Sequence, residues 1–379
     1  KTTEFVAMLR GDEKTRLESD RINARLMIVF MVAGMIALFW SVGYFKKYMI
    51  LNAASVHGEW IDSMFNVTLF FTGIVFVLTQ IALFYFAWRY KHKQGRKALY
   101  YPENNKLEMW WTVIPAIVLT TLVVIGLYRW FQITGPEPKD SYVVEITGKQ
   151  FNWMLRYPGK DGKLGNNQFE YITEGNGVGI DFNDPNSKDD FMPNEMHLVV
   201  NKPVLLKIKS RDVIHDVGIP WFRVKMDAVP GITTRFWFTP TVTTKDMAKK
   251  TGNPDFIYEI ACDQLCGKGH FGMKGTVVVE TQEEFDKWAA SQPSFYETVI
   301  KGTDEEKKFA QISEELKSAE AAKASIDYGF NELGLKELFA MTDPENTASN
   351  NVLLKTGFKL VNTFIDNEEE TNWFKLEKK

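Results

Sequence analysis

The chain has two cysteines, and they lie four residues apart: Cys262 and Cys266 are followed by His270 and then by Met273. In an oxidising compartment the default fate of two cysteines is a disulfide. A disulfide needs neither an imidazole nor a thioether beside it, whereas copper is held by thiolate, imidazole and thioether together. Gly267, Gly269 and Gly272 add a second clue. Each glycine costs about 1 kcal/mol in a helix interior, so the segment reads as a loop wrapped around something. The residue types therefore favour a metal site over a disulfide. A two-metal site needs a second imidazole, and there are five histidines. His57 and His92 fall in loops flanking apolar runs, and His197, at the start of a strand, reads as structural. His215, on a strand-edge loop within residues 211–221, is the candidate, although a histidine taken alone is more often a satisfied surface or core residue.

The elements that must position these side chains begin with a membrane region. Residues 26–45 carry no charge, 64–88 contain only Asn66 and Gln80 as strongly polar side chains, and 109–128 are again uncharged. Each run can cross a hydrocarbon core of about 30 Å at 1.5 Å per residue. The first is too long for the apolar region of a signal peptide, about 7 to 15 residues, and it follows a charged segment. Lys1, Arg10, Lys14, Arg16, Arg21 and Arg25 precede it, against Lys46 and Lys47 on its far side. Arg89, Lys91, Lys93, Arg96, Lys97 and Lys106 follow the second run. Positive charge marks the cytoplasmic side, which sends everything after Tyr128 outside.

Lys and Arg number 45 against 48 Asp and Glu, a formal net charge of -3, so the basic excess of a nucleic-acid binder is missing. Charged residues at 25% and hydrophobic residues at 45% exclude wholesale disorder. The mean hydropathy of -0.21 averages the three runs with a polar remainder. From residue 141 the pattern alternates, with Tyr142, Val144 and Ile146 on one face and Val143, Glu145 and Thr147 on the other. Further strands are expected at 204–209, 234–239, 256–262 and 276–281, so 141–282 reads as an all-β sandwich or barrel. Residues 157–193 read as loop-rich connection and 283–290 as a short helix. Beyond 302, Phe309, Ile312, Leu316 and Ala319 recur at helical spacing over 304–324.

Cys262, Cys266, His270 and Met273, preceded by Asp212 and His215 and by Pro220, Arg223, Lys225, Asp227, Pro230 and Gly231, closely resemble the dinuclear copper domain of cytochrome c oxidase subunit II. Residues 108–116, from Glu108 through Trp110, Trp111 and Pro115, resemble the start of that family's second membrane helix. The resemblance covers 64–298 and implies a cupredoxin-like Greek-key β-barrel behind a two-helix hairpin. Here the span at 26–45 is an addition. The expected organisation is a cytoplasmic segment at 1–25, a membrane region at 26–134, the extracytoplasmic barrel at 135–300 and a C-terminal α or α+β extension at 301–379.

The resemblance implies that Cys262 and Cys266 bridge two copper ions as thiolates. His215 and His270 are then terminal ligands, Met273 a weak axial ligand, and the backbone carbonyl of Gln264 the other. The family has Glu at position 264, whose side chain contacts magnesium near the oxidase interface; Gln264 keeps the carbonyl but leaves magnesium open. Phe151 stands where the family has the Trp through which cytochrome c delivers electrons. Phe151, Trp153 and Trp221 are therefore candidates for electron uptake, packing being the plain reading of all three. Glu108 matches a Glu that helps admit protons to a channel in subunit I; otherwise it is an interfacial residue.

The implied partners are subunit I, which holds the haem, the other oxidase subunits, the lipid membrane, and a c-type cytochrome on another polypeptide. The implied location is the bacterial inner membrane with the barrel on the periplasmic side. Rival readings are a quinol oxidase subunit, which has no use for the copper ligands, and a copper storage or delivery protein, which wants exposed, exchangeable ones. A soluble nitrous oxide reductase has a similar cluster but no membrane hairpin. Residues 330–358 fit none of these and resemble the C-terminal part of a GNAT-type N-acetyltransferase. The glycine-rich loop that holds pyrophosphate in that family does not precede them, so the tail reads as an accessory region without acetyl transfer.

Overall fold

The computed structural model describes residues 2–49, 51–366 and 369–378; Lys1 and Lys379, the outermost residues of the expected segments, lie outside the described residues. Four helices come first: α1 (Thr2–Arg10), α2 (Asp12–Met49), α3 (Val56–Arg89) and α4 (Asn105–Thr134). The last three each carry a stretch apolar enough to cross a membrane, and none of those stretches is buried within the chain. α2 runs past its expected span because its flank at 12–25 is rich in Glu, Lys, Arg, Leu and Ala, good helix formers. Ser55 caps α3 by accepting from the Gly58 N–H, and Asn104 caps α4 by accepting from the Leu107 N–H.

The strands and helices of the barrel follow: β1 (Tyr142–Lys149), β2 (Asn152–Arg156), β3 (Met196–Val199), β4 (Val204–Ser210), β5 (His215–Ile219), β6 (Val224–Ala228), β7 (Thr234–Phe238), α5 (Thr244–Thr251), β8 (Tyr258–Cys262), β9 (Lys274–Glu280) and α6 (Gln282–Ser291). A five-stranded sheet runs β3, β9, β8, β5, β6. Its β3–β9 pair is parallel and the rest antiparallel. β4 pairs antiparallel with β7, from Val204 opposite Phe238 to Ile208 opposite Thr234. Phe222 stacks on Phe238 at 5.1 Å and meets Tyr258 at 4.8 Å, and all three are fully buried. This is the cupredoxin-like β-domain expected.

The strands expected at 204–209, 234–239, 256–262 and 276–281 all form, within two residues at either end. The loop expected at His215 is corrected: His215 is the first residue of β5. β3 and β5 are buried along their whole length, so neither shows the alternation by which a half-buried strand is recognised. His57 is likewise not in a loop but in the first turn of α3, buried, with its ring 4.3 Å from Trp237.

The barrel is fastened to the start of α3. Arg223, in the left-handed conformation, donates from Nε and Nη2 to the Asp62 carboxylate, both at 2.8 Å, and from Nη2 to the Leu51 carbonyl at 2.6 Å. The Ser55 hydroxyl donates to the Phe222 carbonyl at 2.7 Å, and the Ala54 N–H to that of Trp221 at 2.8 Å.

Residues 143–147, 154–194 and 287–379 form a second compact unit. Val178, Ile180, Phe182 and Ile300 make its core, with Phe295, Tyr296 and Phe309 against them. Phe309 belongs to α7 (Asp304–Asp327), the helix expected over 304–324. Arg156 is fully buried here. Its Nε and Nη2 grip the two oxygens of Glu145 at 3.0 and 3.1 Å, and its Nη1 reaches Asp190 at 3.1 Å. Two carboxylates thus share one guanidinium, and burial pushes the Asp190 carboxyl up to about 7 despite Arg156. The tail continues as β10 (Glu337–Thr342), α8 (Thr347–Lys355), β11 (Lys359–Asp366) and β12 (Glu369–Glu377), an antiparallel sheet in the order β10, β12, β11 with one helix. Asn346 caps α8 by accepting from the Ser349 N–H.

Candidate metal centre

Three backbone pieces bring the chemistry together. β8 ends at Cys262, β5 begins at His215 beside it, and Met273 leads into β9 after a single 3-10 turn at His270–Gly272. The intervening loop is closed at its base by the Cys262 N–H donating to the Met273 carbonyl at 3.1 Å, and inside by the His270 N–H donating to the Gly267 carbonyl at 3.2 Å. β8 and β9 are antiparallel neighbours, so their ends are near without strain, and the loop has only to turn inward.

Cys262 and Cys266 are free and buried, with their sulfurs 3.8 Å apart. His215 Nδ1 lies 3.8 Å from the Cys262 sulfur, and His270 Nδ1 3.6 Å from that of Cys266. Met273 Sδ is 4.0 Å from the Cys266 sulfur, and the Gln264 carbonyl oxygen 3.1 Å from that of Cys262. The donor atoms of His215, Cys262 and Cys266 all fall within 4.8 Å of one another. Two thiols, two imidazoles, a thioether and a carbonyl form a soft, mixed donor set, and it fits copper. Burial, and then the neighbouring Cys262 thiol, push the Cys266 thiol up to about 11. A bound cation supplies the positive charge that lets such thiols ionise.

Around the donors lies a supporting layer that the sequence did not assign. Asp212 Oδ1 sits 2.8 Å from His215 Nε2 and accepts from the Val213 N–H at 2.7 Å; its Oδ2 accepts from the Gln150 N–H at 2.7 Å. A carboxylate on Nε2 fixes the tautomer that leaves Nδ1 free for a metal. Burial opposes ionisation of Asp212, yet the bonds from Gln150 and His215 hold its carboxyl below the ordinary carboxylate range. The Gln150 side-chain amide donates to the Cys266 carbonyl at 2.7 Å, so one residue braces both ends of the centre. Gly148 must be glycine, because a Cβ there would come within 2.8 Å of the His215 ring. The only advance signal was that Asp212 lay inside the quoted motif and that Gln150 precedes Phe151.

The electron-uptake candidates separate. The Phe151 ring is 39% exposed and lies on the metal loop so closely that a Cβ on Gly269 would meet it at 2.5 Å. Trp153, 8% exposed, has its ring 6.1 Å from His215. Trp221 packs instead on Phe256 at 5.0 Å and on Tyr258 at 6.1 Å. Glu108 stands apart in the first turn of α4, where Oε1 accepts from the Asn104 N–H at 3.2 Å and completes the helix cap. His197 pairs with Glu280 at 2.8 Å, the structural role expected of it.

Residues 43–129 match the family of the cytochrome c oxidase subunit II transmembrane domain, and residues 142–281 that of its periplasmic domain. Residues 318–359 match the acetyltransferase (GNAT) domain family, in line with the resemblance noted for residues 330–358. The alternative cytochrome c oxidase subunit 2 of Bradyrhizobium diazoefficiens is 37% identical over 238 residues, 62% of this chain and 81% of that one. The cytochrome c oxidase subunit 2 of Cereibacter sphaeroides is 27% identical over 250 residues, 62% of this chain and 75% of that one. Among solved structures, the periplasmic domain of subunit II of cytochrome oxidase of Bradyrhizobium japonicum is 25% identical, covering 41% of this chain and 96% of that one with a TM-score of 0.28. The chain is a membrane protein with a periplasmic domain of the copper-binding kind, and it belongs to the cytochrome c oxidase subunit II family.

Proposed function

We propose that the centre is a dinuclear copper site through which this subunit takes electrons from a c-type cytochrome and passes them to haem in subunit I. The observation that carries the reading is the ring of donors around the thiol pair: His215, His270, Met273 and the Gln264 carbonyl each lie within 4.0 Å of a cysteine sulfur. In this reading Cys262 and Cys266 would hold the copper as thiolates, His215 and His270 would be its imidazole ligands, and Met273 and the Gln264 carbonyl would be weak ligands. Copper bound there supplies a one-electron relay between the donor and subunit I.

The chain's own part is to keep that relay from rearranging. Asp212 locks the His215 ring, Gln150 locks the loop at Cys266, and the β5–β8 ladder fixes the distance between His215 and Cys262. Burial of all three anchoring donors excludes water and argues against a delivery protein, whose ligands must exchange. Phe151, exposed and seated on the loop, is the outer point of electron uptake, and Trp153, against His215, is the inner one. Glu108 opens the proton path at the cytoplasmic end of α4. Gln264 offers no carboxylate, so its side chain is a weak magnesium ligand. Residues 135–300 serve as the copper domain and 301–379 as an extension, in a bacterial inner membrane.

Copper content and electron paramagnetic resonance of the full chain in its complex test the reading, with Cys266→Ser alongside. Two coppers per chain sharing one unpaired electron, lost in Cys266→Ser, is the expected result; a single-copper spectrum overturns it.

A further inference from the structure

The family match in the membrane begins at residue 43, so almost all of the first span, within α2, lies outside it. The seam between α2 and α3 holds several cavities at different depths, of which two lie toward its periplasmic end. The upper one, of about 1200 Å³, lies at the periplasmic ends of the helices, lined by Lys46 and Lys47 of α2, Ser63 and Asn66 of α3, and Lys250 of α5. Of the two carboxylates on its wall, Glu59 and Asp62, the latter is taken up by Arg223. The lower cavity, of about 390 Å³, is wholly apolar, lined by Leu38 and Phe39 of α2 and by Gly73, Ile74 and Val77 of α3.

The spacing of the two is that of a lipid. At 1.5 Å per residue, Phe39 lies about 6 Å below Gly43, and Gly73 about 10 Å below Asn66. That is the depth at which a phospholipid's phosphate and glycerol give way to its acyl chains. A cationic chamber above an apolar one, on the side of the membrane where positive charge is otherwise scarce, matches an anionic phosphodiester with a hydrocarbon tail. Lys47, stacked 4.8 Å over Tyr48, carries the aromatic and basic pairing of an interfacial anchor.

We infer that the α2–α3 seam binds one anionic membrane phospholipid, its phosphate held by Lys46, Lys47 and Lys250 and one acyl chain lodged against Gly73, so that the lipid cements the additional span to the hairpin. Gly73 allows a test, because it lines the lower cavity and a Cβ built there has no neighbour within 4 Å, so a larger side chain takes up space on that wall.

The complex would be purified from nanodiscs of equal phosphatidylglycerol and phosphatidylcholine, and the lipid retained per complex measured by mass spectrometry. The expected result is retention of phosphatidylglycerol over phosphatidylcholine. Lys46→Gln with Lys47→Gln should cut the preference by roughly 25-fold, each lysine near an anionic head contributing about fivefold. Gly73→Phe should lose the retained lipid while copper content stays unchanged. Equal retention of the two lipids by the native complex, or an unaltered preference in the lysine variant, overturns the inference. If Gly73→Phe fails to assemble, the lysine variant alone decides.

Discussion

Replacing Asp212 by Asn asks whether the supporting layer governs the centre. Both carboxylate oxygens of Asp212 act as acceptors: Oδ1 toward His215 Nε2 and the Val213 N–H, Oδ2 toward the Gln150 N–H. Asn has the same shape but a single acceptor oxygen. If that oxygen keeps His215, the new NH₂ group faces the Gln150 N–H at 2.7 Å, donor against donor. If the amide flips, the donor faces His215 instead and favours the tautomer protonated at Nδ1, the nitrogen the metal needs. The cost that matters falls on the buried His215 ring, since leaving a buried group without its partner costs about 1 to 3 kcal/mol, whereas the exposed Gln150 N–H can turn to water. Loss of an outer partner of a ligating histidine lowers metal affinity about 10- to 100-fold. Transmitted fully to His215, the first cost equals the second, since 1.4 kcal/mol is about tenfold. Competition between the protein and a copper chelator measures the change, with thermal unfolding of the metal-free chain beside it. Unchanged copper affinity in Asp212→Asn, with native folding, refutes the claim that Asp212 sets the His215 ring.

Three further outcomes follow from the geometry. Gly269→Ala drives a methyl into the Phe151 ring, an overpacking that costs about 1 to 3 kcal/mol; in a Phe151→Ala background most of that cost should vanish, and an additive double-mutant cycle would count against the contact. Stopped-flow oxidation of a c-type cytochrome should slow in Phe151→Ala and Trp153→Ala with copper content intact, and unchanged rates in both would remove these rings from electron uptake. Asp190 keeps its proton to about pH 7 when folded, against an ordinary value of 3.8 for a free Asp, so its contribution to stability is full below about pH 4 and declines as pH rises toward 7. Asp190→Asn should flatten that decline, which is at most about 1.4 kcal/mol per pH unit for one proton; denaturant unfolding at several pH values reads the slope.

How far the sequence could be read depended on whether the signal was local. Cys262, Cys266, His270 and Met273 lie within twelve consecutive positions, so their chemistry was visible without a fold. His215 is 47 residues from Cys262, so it could be singled out only by comparing five histidines, and it was joined to the cysteines by the family resemblance. Its strand was invisible because every residue of β5 is buried, leaving no alternation to read. Gln150 and Asp212, 62 residues apart, meet through a backbone N–H, a bond that no side-chain pattern announces. The spans were legible because hydropathy acts over a whole helix, yet the lysines at the end of α2 showed only their topological meaning and not the chamber they line. In the tail, Phe309 gave away a helical face, but its seat beside Phe182 and Tyr171 required the folded loops of 157–193.

The pairing of β5 with β8 sets Val217 opposite Cys262, which puts His215, two residues back, on the same side of the sheet. Strand side chains alternate, so a slip of one residue would turn the imidazole to the opposite face and leave the thiols without it. Metal binding then rewards only one alignment, and by mass action a ligand that binds one state alone draws the population toward it. Copper loading is in this sense a proofreading step: a chain that has mispaired these two strands gains nothing from the metal, and one that has paired them correctly is held there.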